Sequence, residues 1–215
     1  MLRAIAVSAT LLVLPVSAQR NEAVNNDQVR VLVVKDTSTA KGRMHEHAMN
    51  RVMIYLDGGA QRLEYADGRV VDLKFSPGEP LWSAAGGMHT SQNLDGAPHR
   101  IVEVELKNKG GAVRFPALDP VKVAPSDYKV LIDNPQVRVI KARIDPRGKV
   151  PLHEHALNRV VVFLTDTHLR SISKDGAATD VVAKAGDVRW SGPAVHREEN
   201  LSDKPFEVLA VELKP

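Results

Sequence analysis

"MHEHAMNR", Met44 to Arg51, returns later in the chain as "LHEHALNR", Leu152 to Arg159. Successive side chains of a β-strand point to opposite faces, so His45 and His47 share one face while Glu46 takes the other. The same holds for His153, His155 and Glu154. Two imidazoles on one strand face are half of a metal site, and the third ligand has to come from elsewhere in the fold. Each copy contains a candidate: His89 in "GGMHTSQN" and His196 in "PAVHREEN". Six of the eight histidines therefore fall at repeated positions, which leaves only His99 and His168 unmatched. The competing reading is a duplication of inert surface histidines.

The repeat extends outward from the histidines. "NNDQVRVLVV" (Asn25 to Val34) matches "DNPQVRVIKA" (Asp133 to Ala142), "NRVMIYL" matches "NRVVVFL", and "VELK" occurs at Val104 to Lys107 and again at Val211 to Lys214. His45 and His153 lie 108 residues apart and His89 and His196 lie 107 apart, a difference that one loop deletion explains. The chain is thus two copies of one unit. Within each, short runs rich in Val and Ile are broken by turn residues such as "LDGG", "SPGE" and "KDGAA", and no long segment has a helical period. An all-β protein of sandwiches or closed barrels is expected. "NKGGAVRFPALDPVKVAPSDY", rich in Gly and Pro, reads as the connector. The expected units are residues 22–107, a linker at 108–126, and residues 127–215.

Composition narrows the function classes. With 43% hydrophobic residues the chain can bury a core. A formal net charge of +3, from basic residues that are scattered, argues against a nucleic-acid partner. The start "MLRAIAVSATLLVLPVSAQR" has the order of a secretory signal: an early Arg3, an apolar middle, and small residues before Gln19. The expectation is a signal peptide at residues 1–18, cleavage after Ala18, and a periplasmic or secreted product with no membrane partner. Cysteine is absent, so thiolate ligands and disulfides are excluded and any metal ligands are His, Asp or Glu.

Gly42 or Gly148, then His-x-His, then Pro77-Gly78 or Ala185-Gly186, then a later His with Asn four residues on (His89 and Asn93, His196 and Asn200) resembles the two signature motifs of the cupin superfamily. Two copies resemble a bicupin. The resemblance implies two tandem jelly-roll barrels related by internal duplication. In it the histidines face inward around a divalent transition metal, with Fe, Mn, Zn, Ni and Cu not distinguished. His45, His47 and His89 would be the ligands in the first barrel, and His153, His155 and His196 in the second. Such folds host oxygenases, isomerases, decarboxylases, storage proteins and binding modules, so the resemblance speaks for fold more than for reaction.

The pattern departs from the family where a glutamate often follows the histidine pair, because Arg51 and Arg159 stand there. Strand parity turns Arg51 towards the histidines. An inward guanidinium weakens cation binding and favours an anionic small molecule; an outward one would pair with Glu46 or Glu154. Glu198, two residues after His196, is a further candidate as ligand or general base, and the equivalent position in the first copy is Ser91. Trp82 and Trp190, also matched, suit either a pocket wall or barrel packing. The function expected is a metal-dependent enzyme, oxygenase-like or isomerase-like, acting on a small anionic or oxygen-rich molecule. The alternative is a small-ligand-binding or structural bicupin without functional metal. Exposed barrel edges favour a homodimer.

Overall fold

The computed structural model of the protein describes residues 18–37 and 39–215. The expected signal segment lies outside the described residues except for Ala18. The first unit runs β1 (Gln19–Asn25), β2 (Val29–Asp36), β3 (His45–His47), β4 (Arg51–Tyr55), β5 (Gly59–Tyr65), β6 (Val70–Phe75), β7 (Glu79–Ser83), β8 (Gly86–Asn93) and β9 (His99–Leu106). A connector carrying α1 (Pro120–Val123) leads to β10 (Tyr128–Asp133), β11 (Val137–Ile144), β12 (Lys149–His155) and β13 (Arg159–Phe163). The chain closes with β14 (Thr167–Ser173), β15 (Ala178–Ala183), β16 (Val188–Ser191), β17 (Ala194–Asn200) and β18 (Phe206–Leu213).

Each unit is a pair of sheets. In the first, the order β1-β2-β9-β4-β7 faces β3-β8-β5-β6; in the second, β10-β11-β18-β13-β16 faces β12-β17-β14-β15. The two orders correspond strand for strand, so the sequence repeat is a repeat of topology, and the architecture is two jelly rolls. The turns repeat as well. Gly78 and Gly186 hold φ of +73° and +97°, the left-handed region that glycine enters without steric cost, and donate to the carbonyls of Tyr55 and Phe163 at 2.7 Å.

The strands of the larger sheets are apolar on both faces, and both faces are used. In β2 and β4, Leu32, Val34, Met53 and Tyr55 fill the inside of the first barrel, whereas Val29, Val31, Val52 and Ile54 point the other way. That outward face packs against its twin: Val31, Val52 and Val104 share one core with Val139, Val160 and Val211. The two barrels therefore sit back to back. Two reciprocal hydrogen bonds flank the contact: Asn50 Nδ2 donates to Gln136 Oε1 at 2.5 Å, and Asn158 Nδ2 donates to Gln28 Oε1 at 2.6 Å. Because these residues are repeat equivalents, the contact is isologous and the units are related by a pseudo-twofold axis.

The connector is fastened to the second barrel. Asp119 caps α1, accepting from Val121 N at 3.1 Å, and its other oxygen accepts from Arg138 Nη2 at 2.6 Å. The Arg138 guanidinium lies 3.4 Å over the Phe115 ring.

Candidate metal centre

Strand pairing builds each histidine triangle. β3 runs beside β8 with His45 opposite His89, and β12 runs beside β17 with His153 opposite His196. Directly opposed residues share a face, so the third histidine falls beside the His-x-His pair. Ring centroids are separated by 5.0, 4.7 and 5.6 Å in the first barrel and by 5.1, 4.6 and 5.6 Å in the second. The two triangles are nearly superimposable. In each, one ring nitrogen per histidine lies within 4.8 Å of the others.

Hydrogen bonds fix the ring nitrogens of the second set. His153 Nδ1 faces Pro151 O at 2.9 Å and His155 Nδ1 faces Glu212 Oε1 at 3.1 Å; both partners only accept, so both Nδ1 atoms carry the proton. His196 Nδ1 is tied to Ser171 Oγ at 2.8 Å, and its Nε2 is buried without a hydrogen-bond partner. His153 and His155 therefore present Nε2 lone pairs, and His196 adds a third in the tautomer whose Nδ1–H is donated to the Ser171 hydroxyl. Burial pushes the His196 imidazole down to about 4 and that of His155 well below the ordinary range, the latter helped by the nearby Arg159 charge. Neutral imidazoles are the form that binds metal. The donor set of the second barrel fits a transition-metal ion.

The first set matches at two of its three members. His45 Nδ1 faces Arg43 O at 2.9 Å and His89 Nδ1 faces Gly87 O at 2.6 Å. His47, however, is engaged by Arg51, whose Nη1 lies 2.5 Å from Nδ1 and 2.7 Å from Nε2. Burial and the Arg51 charge push His47 down to about 3.

Both arginines that stand where a carboxylate was expected turn inward. Arg51 is 6% exposed and pairs with Glu103 at 3.3 Å, while Arg159 is 5% exposed and donates to Gly192 O at 2.6 Å. Neither makes the outward pair with Glu46 or Glu154. Glu198 also faces the second site: its Oε1 is 3.9 Å from His196 Nε2, and its Oε2 accepts from the Tyr128 hydroxyl at 3.0 Å. Burial pushes the Glu198 carboxyl up, but the adjacent histidines and the Tyr128 hydroxyl outweigh it and hold the group below its usual range. Trp82 and Trp190 are more than a third exposed and not part of the buried cores, and Trp82 is among the residues lining the first barrel's cavity.

Several site residues escape the motif reading. Tyr128 is the repeat equivalent of Arg20; Glu212, which orients His155, is held by Arg138 at 2.6 Å. The first barrel has the equivalent Arg30–Glu105 pair, also at 2.6 Å. The signal was present, because "QVRV" and "VELK" recur with these charged residues inside otherwise apolar strands.

No protein-family model matches the sequence, and no curated protein matches it. Solved structures do. Bacillus subtilis oxalate decarboxylase, a protein with Mn(II) centres, aligns with a TM-score of 0.61 at 14% identity, over 87% of this chain and 69% of that one. AerE from Microcystis aeruginosa aligns with a TM-score of 0.64 at 12% identity over 94% and 98%. A cupin 2 conserved barrel domain protein from Leptotrichia buccalis aligns at 0.58 and 12% over 97% and 92%. The fold is a cupin fold, present twice. At these identities the likeness covers architecture; the chemistry of this bicupin fold has to be argued from its own side chains.

Proposed function

We propose that the protein is an exported bicupin that holds a divalent transition metal on His153, His155 and His196 and acts as a metal-dependent enzyme on a small anionic or oxygen-rich molecule. The observation that carries this reading is the buried, unpartnered Nε2 of His196 beside the Nε2 atoms of His155 and of His153, the last 3.4 Å from the Tyr128 hydroxyl. When bound, the metal supplies Lewis acidity to an oxygen of the bound molecule. Glu198, ionised and steadied by Tyr128, is the base that takes a proton from that molecule. Arg159 supplies fixed positive charge near an anionic group. His45, His47 and His89 form the second candidate metal set, with Arg51 across its mouth. Fe, Mn, Zn, Ni and Cu are the candidate ions, and the Mn(II) centres of the structurally similar oxalate decarboxylase make manganese the first to test. Export rests on the character of residues 1–18.

Metal analysis by mass spectrometry of protein purified from its native source tests the reading. One ion per chain is expected, lost in His153→Ala and His155→Ala variants that keep the wild-type circular dichroism spectrum. Native protein without bound transition metal would overturn it.

A further inference from the structure

The first barrel encloses a cavity of about 540 Å³ that reaches the first histidine triangle. Its walls are partly apolar, with Leu63, Leu73 and Leu81, and its charged lining includes Arg20 and Arg51. The lining carries Arg20, Arg51 and Arg69 against Asp36 and Glu103, an excess of one positive charge. Glu103 takes Arg51 at 3.3 Å, and Arg69 is near Asp67 at 3.8 Å. Arg20 has no ion-pair partner among the described residues. Arg51 spends Nε on Ser83 and Nη1 on His47 and Glu103, which leaves Nη2 without a protein acceptor among those residues.

The second barrel differs at three matching positions. Tyr128 replaces Arg20, removing a cation, Glu198 replaces Ser91, adding an anion, and Ala210 replaces Glu103, removing an anion. Arg159 spends Nη1 on the Gly192 carbonyl. Over these positions, with Arg51 and Arg159 common to both, the first barrel keeps one more positive charge than the second. The remaining Nη2 of Arg51, one further cation at Arg20 and an apolar wall match a monoanionic head on a hydrocarbon body.

We infer that the first barrel is a metal-independent carboxylate site: Arg51 and Arg20 bind the head of an organic monocarboxylate, and its apolar body lies against Leu63, Leu73 and Leu81. The site is separate from the metal centre proposed for the second barrel, so each can fail without the other.

Isothermal titration of the full chain, stripped with EDTA, tests it with sodium octanoate, neutral octanamide and inorganic phosphate as probes. One octanoate per chain is expected, with octanamide and phosphate at least ten-fold weaker. Arg51→Gln and Arg20→Gln should each weaken octanoate about ten-fold, and His153→Ala, in the other barrel, should leave it unchanged. Arg20 is exposed at the rim, so its variant keeps the barrel intact should Arg51→Gln fail to fold. Octanamide or phosphate binding as well as octanoate, no octanoate binding to stripped protein, or octanoate affinity indifferent to Arg20→Gln would each overturn the inference.

Discussion

Arg51 and Arg159 occupy equivalent positions and behave differently because their neighbours differ. Glu103 stands inside the first barrel where the second has Ala210, so Arg51 has a buried carboxylate to meet, and this holds it beside His47 at 3.3 Å from Glu103. Arg159 lacks that partner and turns to the Gly192 carbonyl. The inward direction of Arg51 was legible from strand parity with His45 and His47. Its contact with His47 was not, since that depends on a residue some fifty positions away in sequence that no local motif marks. A guanidinium against a ligand nitrogen competes with a cation for the same lone pair. Removing it in Arg51→Ala frees His47, with Glu103 and Glu105 already within 4.8 Å of it. Mn(II)-reconstituted Arg51→Ala should therefore carry two metal ions per chain where wild type carries one, counted by mass spectrometry. An unchanged count would show that the guanidinium is not the barrier.

At the scale of elements, the strands of the larger sheets were readable and their edges were not. "VRVLVV" and "RVMIYL" are apolar at nearly every position, which a strand covered on both faces requires. β1 and β10 are edge strands, exposed along most of their length, and their mixed sequences show no alternation. The connector read as loop because Gly and Pro dominate it, yet Asp119, 1% exposed, locks it onto β11 through Arg138. Arg138 also grips Glu212 on β18, and Glu212 orients His155 on β12. Three elements and the connector thus share one buried chain of charges that ends on His155, a candidate metal ligand. Asp119→Asn keeps the cap on α1 but leaves Arg138 with one carboxylate in place of two. Breaking a buried pair costs roughly 3 kcal/mol, so a clear drop in melting temperature is expected by calorimetry. Weaker Mn(II) affinity should accompany it, as loss of an outer partner of a ligating histidine typically costs at least ten-fold. A melting temperature and affinity both equal to wild type would show that the connector is not part of the site.

Across the whole molecule, the duplication was plain in the sequence, and the way the copies meet was hidden in residues that carry two meanings. Asn50 and Asn158 recur just after the histidine pairs as part of the repeat, but they face the opposite barrel and reach Gln136 and Gln28. The valines of β2, β4, β11 and β13 read simply as strand formers. Seven of the ten fill no barrel; they form the seam between the two. Residues 127–215 expressed alone would leave that seam open, exposing Val137, Val139, Val160, Val162, Leu209 and Val211, each fully buried in the intact chain or nearly so. At about 1.5 kcal/mol or more for each buried aliphatic side chain, six of them amount to roughly 10 kcal/mol, comparable to the whole stability of an ordinary domain. The pseudo-twofold seam is close to self-complementary, so the isolated second barrel has a partner surface in another copy of itself. Size-exclusion chromatography with light scattering should find residues 127–215 as a homodimer or as aggregate, with the intact chain keeping this face covered. An isolated second barrel that stays monomeric and melts with the full chain would mean that the seam contributes far less than its buried area requires.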